Sequence, residues 1–93
     1  MTGNELVEKV GKLMELGYQA VEFSECCKSW EPSVEVSWGN DGSVYVSFYS
    51  YCLGLDDGGR HHNFDWKDID KKIALAEKEV EELRKDYEDE LRQ

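Results

Sequence analysis

The sequence predicts an α+β fold in the order α-β-β-β-α: an N-terminal helix, an antiparallel sheet of about three strands, and a long C-terminal helix packed on the sheet. Three observations carry this. Val34, Val36 and Trp38 alternate with polar neighbours, and so do Val44, Val46 and Phe48, on either side of Gly39-Asn40-Asp41-Gly42. Trp66, Ile69, Ile73, Ala76, Val80, Leu83 and Tyr87 recur at spacings of three and four, the signature of one helical stripe. Leu6, Val7, Val10, Leu13 and Met14 make a second stripe near the N-terminus. At 93 residues the chain has the length of one domain.

The first helix is expected over residues 4–16. Thr2 and Glu5 have the spacing of a capping box, with Asn4 as the alternative cap, and Gly17 stands where a helix ends in a left-handed residue. Residues 18–24 are rich in β-formers and read as a first strand. Ser24 to Pro32 reads as a connection, because the proline disfavours helix at Glu31.

Strands over 33–38 and 43–52 form the hairpin. A two-residue Asp-Gly loop would set Val36 opposite Ser47 and mix polar with apolar on one face. A three-residue loop, Asn40-Asp41-Gly42 with Gly42 left-handed, pairs Trp38 with Val44, Val36 with Val46 and Val34 with Phe48. Pattern and turn chemistry agree on the second. The reverse face then carries Tyr45, Tyr49 and Tyr51 with Glu35 and several serines. Such a stripe either stabilises the ladder in solvent or serves as a recognition surface.

Residues 53–64 read as a glycine-bearing surface loop. Asp65 caps a helix over 66–91, about 40 Å long at 1.5 Å per residue. That exceeds the sheet it must cover. Val80, Leu83, Tyr87 and Leu91 are therefore expected to lie on the first helix or to form a homodimer interface.

Lys and Arg number 11 and Asp and Glu 21, for a net charge of −10. This balance disfavours direct nucleic-acid binding and docking on an anionic membrane. No apolar run approaches the roughly 20 residues that span a bilayer, and the N-terminus lacks a signal-peptide layout, so a cytoplasmic setting is expected. The acid is concentrated in the sheet half: Glu22, Glu25, Glu31, Glu35 and Asp41 have only Lys28 near them. On the second helix the charges pair at i,i+3 or i,i+4, as Glu81 with Arg84 and Lys85, and Glu88 with Arg92.

No nucleophile–base pair, metal set or phosphate loop matches a recognised motif, and the reading is of a non-enzyme with no cofactor. Cys26, Cys27 and Cys52 read as buried or incidental thiols. A zinc site of these three with His61 or His62 lacks the spacing that brings two thiolates to one ion. Asp56, Asp57, His61 and His62 invite a metal-dependent enzyme, yet adjacent histidines in a strand point to opposite faces. A small structural or ligand-binding domain is the other alternative.

A chain this short, acidic and motif-free resembles the small phage-encoded inhibitors of bacterial defence, notably anti-CRISPR proteins, in size and charge. That resemblance implies an inhibitor acting in the host cytoplasm on a basic nucleic-acid-binding protein, by nucleic-acid mimicry or by blocking its groove. The expected partner-binding residues are Glu22, Glu25, Glu31, Glu35, Asp41, Tyr45, Tyr49 and Tyr51. The element order is also similar to that of the double-stranded-RNA-binding domain. Lys71-Lys72 echoes the basic start of that family's second helix, but its glycine-proline-histidine loop is missing and the charge opposes RNA.

Overall fold

The sheet is antiparallel, in the order β1-β2-β3, and both helices lie on one face of it. A computed structural model describes residues 3–24 and 31–92. The elements are α1 (Gly3–Phe23), β1 (Ser33–Trp38), β2 (Val44–Tyr49), β3 (His61–Asp65), a 3-10 turn (Trp66–Asp68) and α2 (Ile69–Leu91). The α-β-β-β-α order is the one the sequence predicts, but two segments exchange roles. Residues 18–23 are the end of α1 and not a strand, and the third strand comes from residues 61–65, of which the sequence leaves 61–64 in a loop and makes Asp65 a helix cap.

Gly17 explains the first exchange. It sits inside the helix, and a Cβ there would lie 2.6 Å from Pro32 Cβ and 2.9 Å from Pro32 Cγ. The glycine lets α1 approach the buried Pro32 just ahead of β1, and the helix runs on for almost two more turns. That extension carries the buried Ala20 and brings Phe23 onto Tyr87, with ring centroids 5.5 Å apart. Lys9 meets Asp70 and lies over Trp66 at the other end, so α1 and α2 run side by side in the same direction. As far as Tyr87, the stripe on α2 thus has its cover within the chain. Val80 is buried and Leu83 packs on the core, while Leu91 stays 69% exposed. The helix pair outruns the sheet and makes the molecule long, 54 × 20 × 20 Å.

The hairpin has the register that the pattern requires: Trp38 opposite Val44, Val36 opposite Val46 and Val34 opposite Phe48. Gly42 is left-handed at φ +86°, and the Gly39 and Ser43 backbones bond across the loop at 2.8 Å. Burial falls off across the sheet. Val46 and Phe48 on the central strand are buried, and Phe64 on β3 is buried beneath Lys72. On the edge strand β1, Val34 packs on the core, Val36 is half-buried and Trp38 is 62% exposed. The helices cover β1 only at its start, so the apolar face expected to be wholly inside is open at Trp38.

β2 ends at Tyr49, short of the expected residue 52. Ser50 is buried and its Oγ accepts from Leu53 N–H at 3.2 Å, which turns the chain out of the ladder. Leu53 and Leu55 then enter the core, and Glu79 of α2 accepts from the backbone N–H groups of Gly54 and Leu55. The segment read as a surface loop is anchored on its inner side. The Asp65 side chain accepts from Lys67 N–H at 2.9 Å, but it caps a 3-10 turn, and the helix expected from residue 66 begins only at Ile69.

Candidate functional site

The face of the sheet turned away from the helices is polar and aromatic, and strand alternation assembles it. Ser33, Glu35 and Ser37 come from β1, Tyr45, Ser47 and Tyr49 from β2, and His61, Asn63 and Asp65 from β3. Cross-strand neighbours hold one another: Ser47 Oγ bonds Asn63 Oδ1 at 2.6 Å, and the Tyr49 and His61 rings lie 4.8 Å apart. The centre of the face is a shallow concavity of about 450 Å³ whose lining includes Ser33, Glu35, Ser47, Tyr49, His61 and Asn63. Tyr45 is 45% exposed at one end of it. At the other end Arg60 lies over the Tyr51 ring, 3.9 Å from its centroid.

Of the expected partner-binding residues, the structure gathers Glu35, Tyr45 and Tyr49 on this face. Asp41 and Tyr45 both flank Gly39, which places Asp41 at the rim. Tyr51 lies beyond the end of β2. Glu31 is exposed ahead of β1. Glu22 belongs to the helix layer, in a groove between α1 and α2 that also receives Lys12, Gln19 and Arg84. Glu25, like Cys26, Cys27 and Lys28, lies outside the described residues, as does Thr2 of the expected capping box. Sequence reasoning did not place His61, Asn63 and Asp65 on this face, since it took His61 and Asn63 as loop residues and Asp65 as a helix cap. Their signal was the alternation of His61, Asn63 and Asp65 with the inward His62 and Phe64, hidden by the glycines just before it.

The face carries the carboxyl groups of Glu35 and Asp65, with Asp41 at its rim. Asp41 accepts from Ser43 N–H at 3.0 Å, and hydrogen bonding by Ser43 holds its carboxyl below the usual carboxylate range. On α2, Arg84 bonds Glu81 and also Glu88, the latter at 2.8 Å, where the sequence pairs Glu88 with Arg92. These bonds tie Arg84 to carboxylates of its own helix.

The two histidines diverge as strand geometry requires. His61 is on the polar face. His62 is 2% exposed on the inner face, with Nδ1 3.0 Å from Asp57 Oδ2 and Nε2 3.0 Å from the Leu53 carbonyl. Both ring nitrogens are therefore engaged, with the donor and acceptor roles set by the ring's tautomer. Asp57 also accepts from Gly59 N–H at 2.9 Å, and that bond together with His62 holds its carboxyl below the usual range. The His62–Asp57 pair therefore fastens the 53–59 segment to β3 and leaves no ring nitrogen to meet a substrate. Cys52 is a free, half-buried thiol beside the core. Among the described residues, no group of three or more His, Cys, Asp and Glu side chains is placed to hold a metal ion. Also among the described residues, no helix is long and apolar enough to cross a membrane. Comparison with family models, curated proteins and solved structures finds no match for this chain.

Proposed function

We propose that this chain is an acidic interaction domain that inhibits a nucleic-acid-binding effector by occupying its basic groove. It would act as the small anti-defence proteins of phages do, with a nuclease or similar protein of the host cytoplasm as target. The observation that carries the reading is the open polar face, where Glu35, Tyr45 and Tyr49 share a surface with His61 and Asn63 in a chain of net charge −10. Long-range attraction from that charge speeds encounter with a basic groove. The tyrosines supply contact area that charge cannot, since an exposed ion pair is worth only about 0–1 kcal/mol.

The test has two stages. Tagged protein captures partners from a bacterial lysate at about 0.3 M salt, where the Debye length is under 8 Å. Each captured nucleic-acid-binding protein is then assayed for retention of its nucleic acid as the chain is added. Displacement that is lost on combined Glu35→Lys, Tyr45→Ala and Tyr49→Ala substitution is the expected result. Displacement that survives all three changes removes the sheet face from the mechanism. Capture with no effect on nucleic-acid binding removes inhibition by groove occupancy.

A further inference from the structure

The ends of the ladder determine where every backbone group of β1 points. Gly39 N–H donates to the Ser43 carbonyl at 2.8 Å, and hydrogen-bonded pairs alternate along an antiparallel ladder. Ser33, Glu35 and Ser37 therefore exchange their bonds with β2. Ser50 N–H donates to the Arg60 carbonyl at 2.9 Å, so the even positions of β2 serve β3, and the two ladders agree. Val34, Val36 and Trp38 direct their N–H and C=O groups outward, at an edge with no strand beside it among the described residues. The same three residues carry the side chains of the apolar face that the helices cover least, ending in Trp38 at 62% exposure. An edge that is apolar and unpaired is a template for another strand.

We propose that β1 of a second copy closes this edge, antiparallel, with Val36 opposite its own counterpart on a two-fold axis. The register follows from charge and hydrogen bonding. Centring the pair on Glu35 would set two carboxylates against each other in a chain already at −10. It would also place Trp38 opposite Pro32, which has no N–H to give. Centring it on Val36 faces Glu35 with Ser37, sets each Trp38 over the Val34 of the other copy, and uses every outward group from Val34 to Trp38. The contact is isologous and closes at two copies. It joins the polar faces of both sheets into one surface with the two Glu35 side chains near the axis. This pairing is independent of the inhibitor reading and of the α2 stripe, which α1 covers as far as Tyr87.

Sedimentation equilibrium tests it, at up to about 1 mM protein because an interface this small sits at the weak end. A monomer–dimer equilibrium is expected. Its dissociation constant should fall severalfold as salt rises from about 0.05 to about 0.5 M, since screening relieves repulsion between two acidic chains. Val36→Pro removes an outward N–H without touching a bond to β2, a change that edge strands tolerate. Trp38→Glu changes an exposed side chain and provides a second variant should the proline disturb folding, which circular dichroism reports. Each is expected to weaken dimerisation about tenfold or more. A wild-type chain that stays monomeric at both salt concentrations overturns the proposal, as does a dimer unmoved by Trp38→Glu. Growth beyond the dimer also overturns it, because it signals head-to-tail pairing of β1 with β3.

Discussion

Glu79 of α2 accepts the backbone N–H of Leu55 at 2.9 Å, across 24 positions of chain. Its other carboxylate oxygen takes Gly54 N–H at 3.0 Å. One side chain thus satisfies two successive donors of a segment whose Leu55 and Asp56 both have left-handed backbones, at φ 47° and 68°. Left-handed geometry at non-glycine residues is costly and persists where its surroundings hold it. Glu79→Ala is expected to lower stability by about 1–3 kcal/mol, because two part-buried donors lose a charged acceptor. Hydrogen exchange at Gly54 and Leu55 should rise well above any change in the sheet, and denaturant titration gives the magnitude.

The other anchor of that segment is His62. His62→Phe keeps an aromatic ring beside Phe48 but leaves the buried Leu53 carbonyl without its donor. A loss of about 1–3 kcal/mol is expected from the stranded acceptor. His62→Phe with Asp57→Asn should cost little more than His62→Phe alone, since the Asp57 bond is already gone; a double-mutant cycle measures this.

Acid should weaken the same region. Gly59 N–H and His62 hold the Asp57 carboxyl below its ordinary value of 3.8. A carboxyl depressed in the folded state stabilises that state above the ordinary value, and the contribution is lost as pH falls through the folded one. Unfolding midpoints followed from neutral pH to about pH 2.5 should therefore drop below about pH 4. The drop should be shallower in Asp57→Asn without vanishing, because Asp41 and Glu81 are held low by Ser43 and Arg84 in the same way.

At Gly17 two effects oppose each other. Alanine is the better helix former by about 1 kcal/mol. Its methyl would overlap the Pro32 ring, and overpacking of a close contact costs about 1–3 kcal/mol. Gly17→Ala is expected to destabilise overall, and Pro32→Gly in the same chain should recover about 1 kcal/mol of coupling. A stabilised Gly17→Ala would show that α1 can lift off Pro32 freely.

The hairpin, its register, the left-handed Gly42, the α2 stripe and the cap at Asp65 were all legible in the sequence. Each is decided by neighbours within a few positions: side-chain alternation permits one register, and a turn of given length permits one glycine conformation. Glu35, Tyr45 and Tyr49 could be assigned to a common face for the same reason. What only the tertiary structure decided depends on residues far apart in the chain. Gly17 reads locally as a helix end, and only the Pro32 ring against it shows that the glycine makes room for a helix that continues to Phe23. Residues 61–64 read locally as loop and Asp65 as a cap, because so short an alternation becomes a strand only through pairing with Val46 and Phe48 and through the bonds that His62 makes to Asp57 and Leu53. Local spacing thus determines which way a side chain points, whereas close approach and strand pairing are settled by whatever the fold brings alongside.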